Sequence, residues 1–449
     1  MQHKIKGQED QPSGAKSGEI QTQLVGFLTP LLVQLDSVLD KRLVRTFVQA
    51  IIAIVSFRES SKGLLLSELG SYILNPRQAP AGTKRLSNLL RSKRWGHELI
   101  EHFLWQQGEQ RIAALKDDSE EVVVVWDESV LEKASSLTLE GLCAVRSSVA
   151  RQLKRIKPGF YTPPSGPIFV PGMHWVGVLV MGMSGPPVVA AMRWWTTRGM
   201  LQSNKRTEEA QLLVECVRRW ERRVLHVWDR GFAGAPWLGV VLKHNIRFVL
   251  RWQKGYNLMD RQGHKRKAWQ ICRGKRSIGQ VPIWDSPRQV QRHIGVYFTP
   301  VTHPDHPDVP LWLIVSRQGP GRQPWYLLTN QPVHSVRQAW HFIRAYARRW
   351  QIEMAWRYSK SELAMESPRL WAWANRLKLL LMATLAYAFL LSLLTLVELR
   401  LWLLRHWCHR TGKRCRDAST PLYRLRSALA SLWLAHHPPA FLLPTEISG

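Results

Sequence analysis

Tyr346, Arg349, Glu353 and Lys360 have types and spacing that suit phosphate chemistry. On an α-helix turning about 100° per residue they fall within roughly 60° of one another. One narrow face would then carry a phenol, a guanidinium, a carboxylate and an amine. Arg349, Glu353 and Arg357 also stand at i, i+4 and i+8, the spacing of an ionic ladder. A ladder has no use for Tyr346 or the distant Lys360. A carboxylate holding a metal, beside cations holding phosphates, uses all four. Glu362 and Glu366 are rival acids, but neither shares that face.

Two aspartates end similar segments. EEVVVVWDES (120–129) and VLHVWDRGFAG (224–234) each run apolar and close on Val-Trp-Asp, at Asp127 and Asp229. Such runs read as central strands buried on both faces. If the two strands are neighbours in one sheet, their carboxylates emerge side by side at its C-terminal edge, where functional groups gather in α/β sheets. Glu128 would point to the opposite side of its strand, so Asp127 is preferred.

The elements that must position these acids follow in order. Residues 20–110 read as helical, with apolar periodicity in IQTQLVGFLTPLLVQL and VRTFVQAIIAIVSF. GTKRLSNLLRSKRW (82–95) reads as a basic helix capped by Thr83, carrying Lys84, Arg85, Arg91, Lys93 and Arg94. After Asp127 come a basic loop (RQLKRIKPGFYTPPSG), two strand-like runs and an amphipathic helix at 207–223 with Thr207 as its cap. The Asp229 strand, a short helix (PWLGVVLKH) and another strand (IRFVLRW) follow. Residues 252–335 lose the helical period and show alternating runs broken by Pro and Gly, the pattern of an inserted β-rich module. Helical sequence resumes near Ser335.

Composition bounds the partners. Lys and Arg total 63 against 33 Asp and Glu, a formal net charge of +30, which suits a polyanion, with nucleic acid the first candidate. An anionic membrane surface is the second. Residues 251–276 hold nine Lys or Arg against the single acid Asp260. Five scattered cysteines without framework spacing suit a reducing compartment. CHRTGKRC (408–415) has no second ligand pair and does not read as a zinc site. The first residues lack the apolar core of a signal peptide and read as a disordered tail. Leu379–Val397 is an uncharged run of nineteen residues, near the length of a membrane span. It is the only such run and has basic sequence on both sides, so the expectation is a buried core helix.

The pattern Y-x2-R-x3-E-x6-K at 346–360, with WDES and VWDRGF upstream, resembles the signature of bacterial insertion-sequence DDE transposases of family four, relatives of the kanamycin-transposon enzyme. Motif-level similarity covers roughly residues 120–375. Ser129 stands where members of that family often carry Thr. The resemblance implies an RNase H-like catalytic domain in two parts (120–251 and 336–400) around the β-rich insertion (252–335). To this are added a disordered tail (1–19), a helical N-terminal DNA-binding domain (20–115) and a basic helical C-terminal region (401–449). It implies catalytic and metal-binding roles for Asp127, Asp229 and Glu353, with two Mg²⁺ or Mn²⁺ ions per site, a choice that oxygen-only carboxylate ligands also favour. Tyr346, Arg349, Lys360, Arg357, Arg230, Lys84, Arg85 and Arg91 would contact DNA. Trp325, 28 residues before Glu353, would stack on a base flipped from the element end. The implied partners are double-stranded terminal repeats and target DNA, bound by a homodimer in the bacterial cytoplasm. A metal nuclease without strand transfer, or an inactive DNA-binding descendant, is the alternative.

Overall fold

The structure is a computed structural model that describes residues 13–59, 61–133, 138–149, 166–285, 289–317, 319, 322–408 and 422–439. Five helices open it: α1 (Ser13–Asp36), α2 (Lys41–Ser56), α3 (Leu66–Ile73), α4 (Ala79–Arg91) and α5 (Glu98–Asp117). Helix α1 already includes residues 13–19, so that part of the expected tail is ordered helix; residues 1–12 lie outside the described residues. Asp40 caps α2 by accepting from Leu43 N–H at 3.0 Å. Thr83 does not cap α4. That helix begins at Ala79 with Pro80 in its first turn, where a missing N–H costs nothing. The Thr83 hydroxyl instead donates back to Ala79 O (2.8 Å) and across to Leu66 O (3.1 Å). Gly70 and Gly82 lie where α3 and α4 touch, and a Cβ on either would collide with the other helix's backbone.

The central part alternates strands and helices: β1 (Val123–Glu132), β2 (Cys143–Arg146), β3 (Phe169–Met181), β4 (Val188–Trp195), α6 (Lys205–Trp220), β5 (Leu225–Trp228), α7 (Ala235–Lys243) and β6 (Arg247–Arg251). Only β2 was not anticipated. The cap of α6 is Asn204 rather than Thr207; Asn204 Oδ1 accepts the Thr207 N–H at 3.0 Å, because the helix starts two residues earlier than its apolar stripe suggests. The basic loop's residues 151–165 lie outside the described residues.

Next come β7 (Asn257–Met259), β8 (Lys265–Lys267), the short α8 (Ala268–Ile271), β9 (Gly279–Asp285), β10 (Val290–His303), β11 (His306–Arg317) and β12 (Trp325–Thr329). This segment is β-rich, but it continues the central sheet through antiparallel pairing of β12 with β6. One 12-stranded sheet results, in the order β2-β3-β1-β5-β6-β12-β11-β10-β7-β8, with β4 also on β3 and β9 on β10. The last helices are α9 (Val336–Ala347), α10 (Trp350–Ser361), α11 (Trp373–Leu393), α12 (Val397–His406) and α13 (Leu422–Ala435). Residues 409–421 and 440–449 of the expected C-terminal region lie outside the described residues.

Alternation along β1 divides the interior. Val123 and Val125 face one core with α9, α10 and α11; Val124 and Trp126 face the other with α6 and α7. The N-terminal helices do not form a separate core. Ile20, Phe47, Ile51 and Leu89 join the same cluster as Leu380, Leu385 and Leu429. Helix α11 is at its centre: by length and composition it could cross a membrane, yet 94% of its apolar window is buried. Lys378 within it is buried too, its ammonium donating to Leu90 O (3.1 Å) and Ser92 O (2.8 Å) while lying 4.6 Å from the Trp95 ring centre. It thereby satisfies carbonyls left open at the end of α4.

Candidate active site

Strands β1 and β5 are adjacent and parallel, with Val125 opposite Val227, so Asp127 and Asp229 both stand two residues further on, at the same edge. Asp127 belongs to β1, opposite Gly177 of β3. Asp229 follows β5 and turns the chain, its Oδ1 accepting the Gly231 N–H at 2.5 Å. Glu353 comes from α10, which packs against β1. The three carboxylates share one electrostatic neighbourhood. Burial, then the negative charge of Asp229 and that of Glu353, push the Asp127 carboxyl up to about 8, with Arg349 opposing.

The 346–360 stretch is not one helix. It divides at Arg348–Arg349, where bonds from Arg349 N to Tyr346 O and from Ile352 N to Arg349 O follow the tighter i→i+3 pattern. Both residues keep right-handed helical dihedrals, so Tyr346, Arg349 and Glu353 stay together across the break. Arg349 Nη2 donates to Glu353 Oε1 at 2.5 Å, and its guanidinium carbon lies 5.8 Å from the Tyr346 ring centre. Burial works against the Arg349 charge, but Tyr346, Glu353 and Asp127 outweigh it and hold its pKa above the usual arginine range. The Tyr346 hydroxyl and Arg349 Nε and Nη1 are buried with no hydrogen-bond partner. Such orphans ask for an explanation, and an anionic ligand is one.

Lys360 lies within the field of Glu366, Glu132 and Asp127; burial lowers its pKa despite them. Arg357 is exposed on α10, as are Lys84, Arg85 and Arg91 on α4, whose opposite face is buried through Leu86, Leu89 and Leu90. The rival acids are engaged elsewhere. Glu362 stands 3.6 Å from Arg426, and Glu366 Oε1 accepts the Glu132 N–H at 3.3 Å. Glu128 turns to the other face of the sheet and pairs with Lys205 at 2.5 Å. Trp325 is half-buried, edge-on to Tyr346 with ring centres 5.0 Å apart, so its indole serves the packing of the site's own tyrosine.

A residue the sequence did not single out straps the site. Lys133, at the end of β1, is buried and donates to Glu366 O (2.5 Å) and Pro368 O (2.7 Å), tying the segment after α10 to the Asp127 strand. No spacing signal could have found it, because its partners are backbone carbonyls. Among the described residues, no three His, Cys, Asp or Glu side chains are gathered closely enough to hold an ion as they stand. Glu353 is engaged by Arg349 instead. The donor set of Asp127, Asp229 and Glu353 is all carboxylate, the ligand type that a hard divalent cation takes.

No family model matches this chain, and no curated protein matches it. Among solved structures, it is similar to a chain in the cryo-EM structure of a piggyBac transposase synaptic complex with hairpin DNA. Identity is 12%, the alignment covers 97% of this chain and 84% of that one, and the TM-score is 0.43. At that score the likeness assigns neither residues nor a reaction.

Proposed function

We propose that the chain is a DNA transposase of the cut-and-paste, insertion-sequence type, with an RNase H-like catalytic domain built around Asp127, Asp229 and Glu353. The observation that carries this reading is the placing of Asp127 and Asp229 at the ends of adjacent parallel strands, with the Arg349–Glu353 pair of α10 and Lys360 within the electrostatic reach of Asp127. The succession β1, β3, β4, α6, β5, α7, β6 supports the RNase H-like reading, as does the antiparallel placement of β3 beside β1. The +30 charge supports DNA as the partner.

In this reading Asp127, Asp229 and Glu353 hold Mg²⁺ or Mn²⁺, which when bound would neutralise charge on the attacking and leaving oxygens of a phosphodiester. Arg349 and Lys360 hold phosphates flanking the scissile bond, and the Tyr346 hydroxyl donates to the backbone. Arg349 therefore exchanges Glu353 for a phosphate as DNA arrives. Terminal inverted repeats are cut and their 3′-hydroxyl ends joined to target DNA, with hairpin ends and a dimer in the DNA complex.

The test supplies pre-cleaved terminal ends, target plasmid and Mg²⁺, with repeats taken from the DNA flanking the gene. Joined product supports the proposal. Nicking without joining reduces it to a nuclease, and metal-independent binding alone to a DNA-binding descendant.

A further inference from the structure

Four helices meet at one guanidinium. Arg426 of α13 is buried and donates through Nη2 to Phe57 O at 2.6 Å, while its Nη1 lies 3.6 Å from Glu362 Oε2. Phe57 is the residue that ends α2, and Glu362 the one that ends α10. The guanidinium carbon also sits 4.5 Å from the Phe57 ring centre, with Tyr358 of α10 and Tyr72 of α3 in its electrostatic neighbourhood. Tyr358 in turn packs its ring against Tyr387 of α11 (5.4 Å between centres) and Tyr423 of α13 (5.0 Å). Burial lowers the Arg426 pKa, and its Nε has no hydrogen-bond partner, so the charge is only partly compensated. An apolar side chain of similar length would fill the space at less cost. What it would not supply is direction. Apolar contact lets one helix slide along another, whereas a guanidinium held by groups on two helices sets their register.

We infer that Arg426 is a positioning residue for the proposed active site, fixing the C-terminal end of α10, and with it Lys360 and Glu353, against the end of α2. The inference rests on the transposase reading above. Asp127 and Asp229 are placed by the pairing of β1 with β5 and owe nothing to α10. The third carboxylate depends on whatever holds its helix. Lys360 stands in the last turn of α10 and Glu353 in its first, so both move if that helix slides or tilts. A second tie runs the same way: Leu64 N–H donates to Ser367 Oγ at 2.9 Å, joining the segment after α2 to the segment after α10. Helix α2 also packs on α4, whose exposed face carries Lys84, Arg85 and Arg91. DNA held on α4 is thereby in mechanical continuity with α10, through α2 and Arg426.

The experiment measures amide hydrogen exchange in the full chain without metal, so its result does not depend on cleavage. In Arg426→Met, amides of α10 should exchange about tenfold faster while those of β1 and β5 keep their rates. Arg426→Lys, which keeps the charge and can still reach one partner, should recover part of the protection. Glu362→Gln, which leaves the bond to Phe57 in place, should speed exchange in α10 alone, and it decides the matter if Arg426→Met does not fold. In a nicking assay at a temperature where each variant is folded, Arg426→Met should need several-fold more Mn²⁺ for half-saturation, with affinity for terminal DNA unchanged. Adding Glu362→Gln to it should change little more, because the two residues act as one contact. Faster exchange spread evenly over α10, β1 and the N-terminal helices would make Arg426 a general stabiliser and overturn the inference. Exchange in α10 unchanged by Glu362→Gln and by any folded Arg426 variant would overturn it too. Absence of nicking by wild type would overturn the transposase reading and leave the exchange result to decide what Arg426 holds.

Discussion

Arg349 reaches forward one helical turn to donate to Glu353 at 2.5 Å, and it is the more covered of the two, at 11% exposure against 34%. The carboxylate proposed as a ligand is thus held by a cation. Replacing Arg349 with Ala should release Glu353 and remove a phosphate clamp together. The half-saturating Mn²⁺ concentration should fall while the maximal nicking rate drops by on the order of a hundredfold. A rise in half-saturation would show instead that Arg349 organises the ligand.

Asp127→Asn, Asp229→Asn and Glu353→Gln keep shape and remove charge. Each should lower metal-dependent nicking and joining by roughly a thousandfold or more, with binding to terminal DNA retained. Full cleavage by Glu353→Gln would send the search to Glu362 or Glu366.

His226 lies fully buried between Trp126 and Trp228, with its Nδ1 accepting from Trp126 Nε1 at 3.0 Å. Burial pushes its pKa down to about 3. The folded chain therefore refuses a proton that the unfolded chain takes up below about 6.5, so stability is intact above that pH and is lost as pH falls. At about 1.4 kcal/mol per pH unit, the loss between pH 6.5 and 5 should approach 2 kcal/mol. Urea denaturation across this range should give a flatter profile for His226→Gln, whose amide oxygen can still accept from Trp126.

Leu385 is fully buried in α11, at the junction of the N-terminal helices with the sheet layer. Leu385→Ala should cost about 2–5 kcal/mol. Because α1–α5 share its core, calorimetry should show one transition moving to lower temperature. Two transitions, with only one displaced, would mean that the N-terminal helices fold by themselves.

Trp325→Ala removes the ring against Tyr346 and should lower stability by about 2–4 kcal/mol, with Trp325→Phe recovering part. If Trp325 also platforms a flipped base, hairpin formation should fail at a temperature where the variant is still folded and still makes the first nick. Equal loss at every step would confine it to packing.

Much of the site was legible in the chain itself. The runs before Asp127 and Asp229 are apolar on both faces, and a strand of that kind has nowhere to go but the centre of a sheet. The run from Leu379 likewise had to find apolar surroundings and does so through Leu394, after which Thr395, Leu396 and Val397 are exposed; the +30 charge follows from counting. Local spacing also set Arg349 between Tyr346 and Glu353, since helical geometry depends only on neighbours in sequence.

What the chain could not disclose depended on distant partners. Thr83 and Thr207 were reasonable caps by residue type, but each helix starts where Pro80 or Asn204 lets the backbone turn in. The β-rich segment became an extension of the central sheet because β12 found the open edge of β6, a pairing that no alternation pattern encodes. Burial of α11 between the N-terminal helices and the sheet fused what reads as separate domains into one core. Sequence fixes which faces must be hidden or charged; only the tertiary structure decides which of them meet, because burial is non-directional and the same apolar face can satisfy itself against many partners.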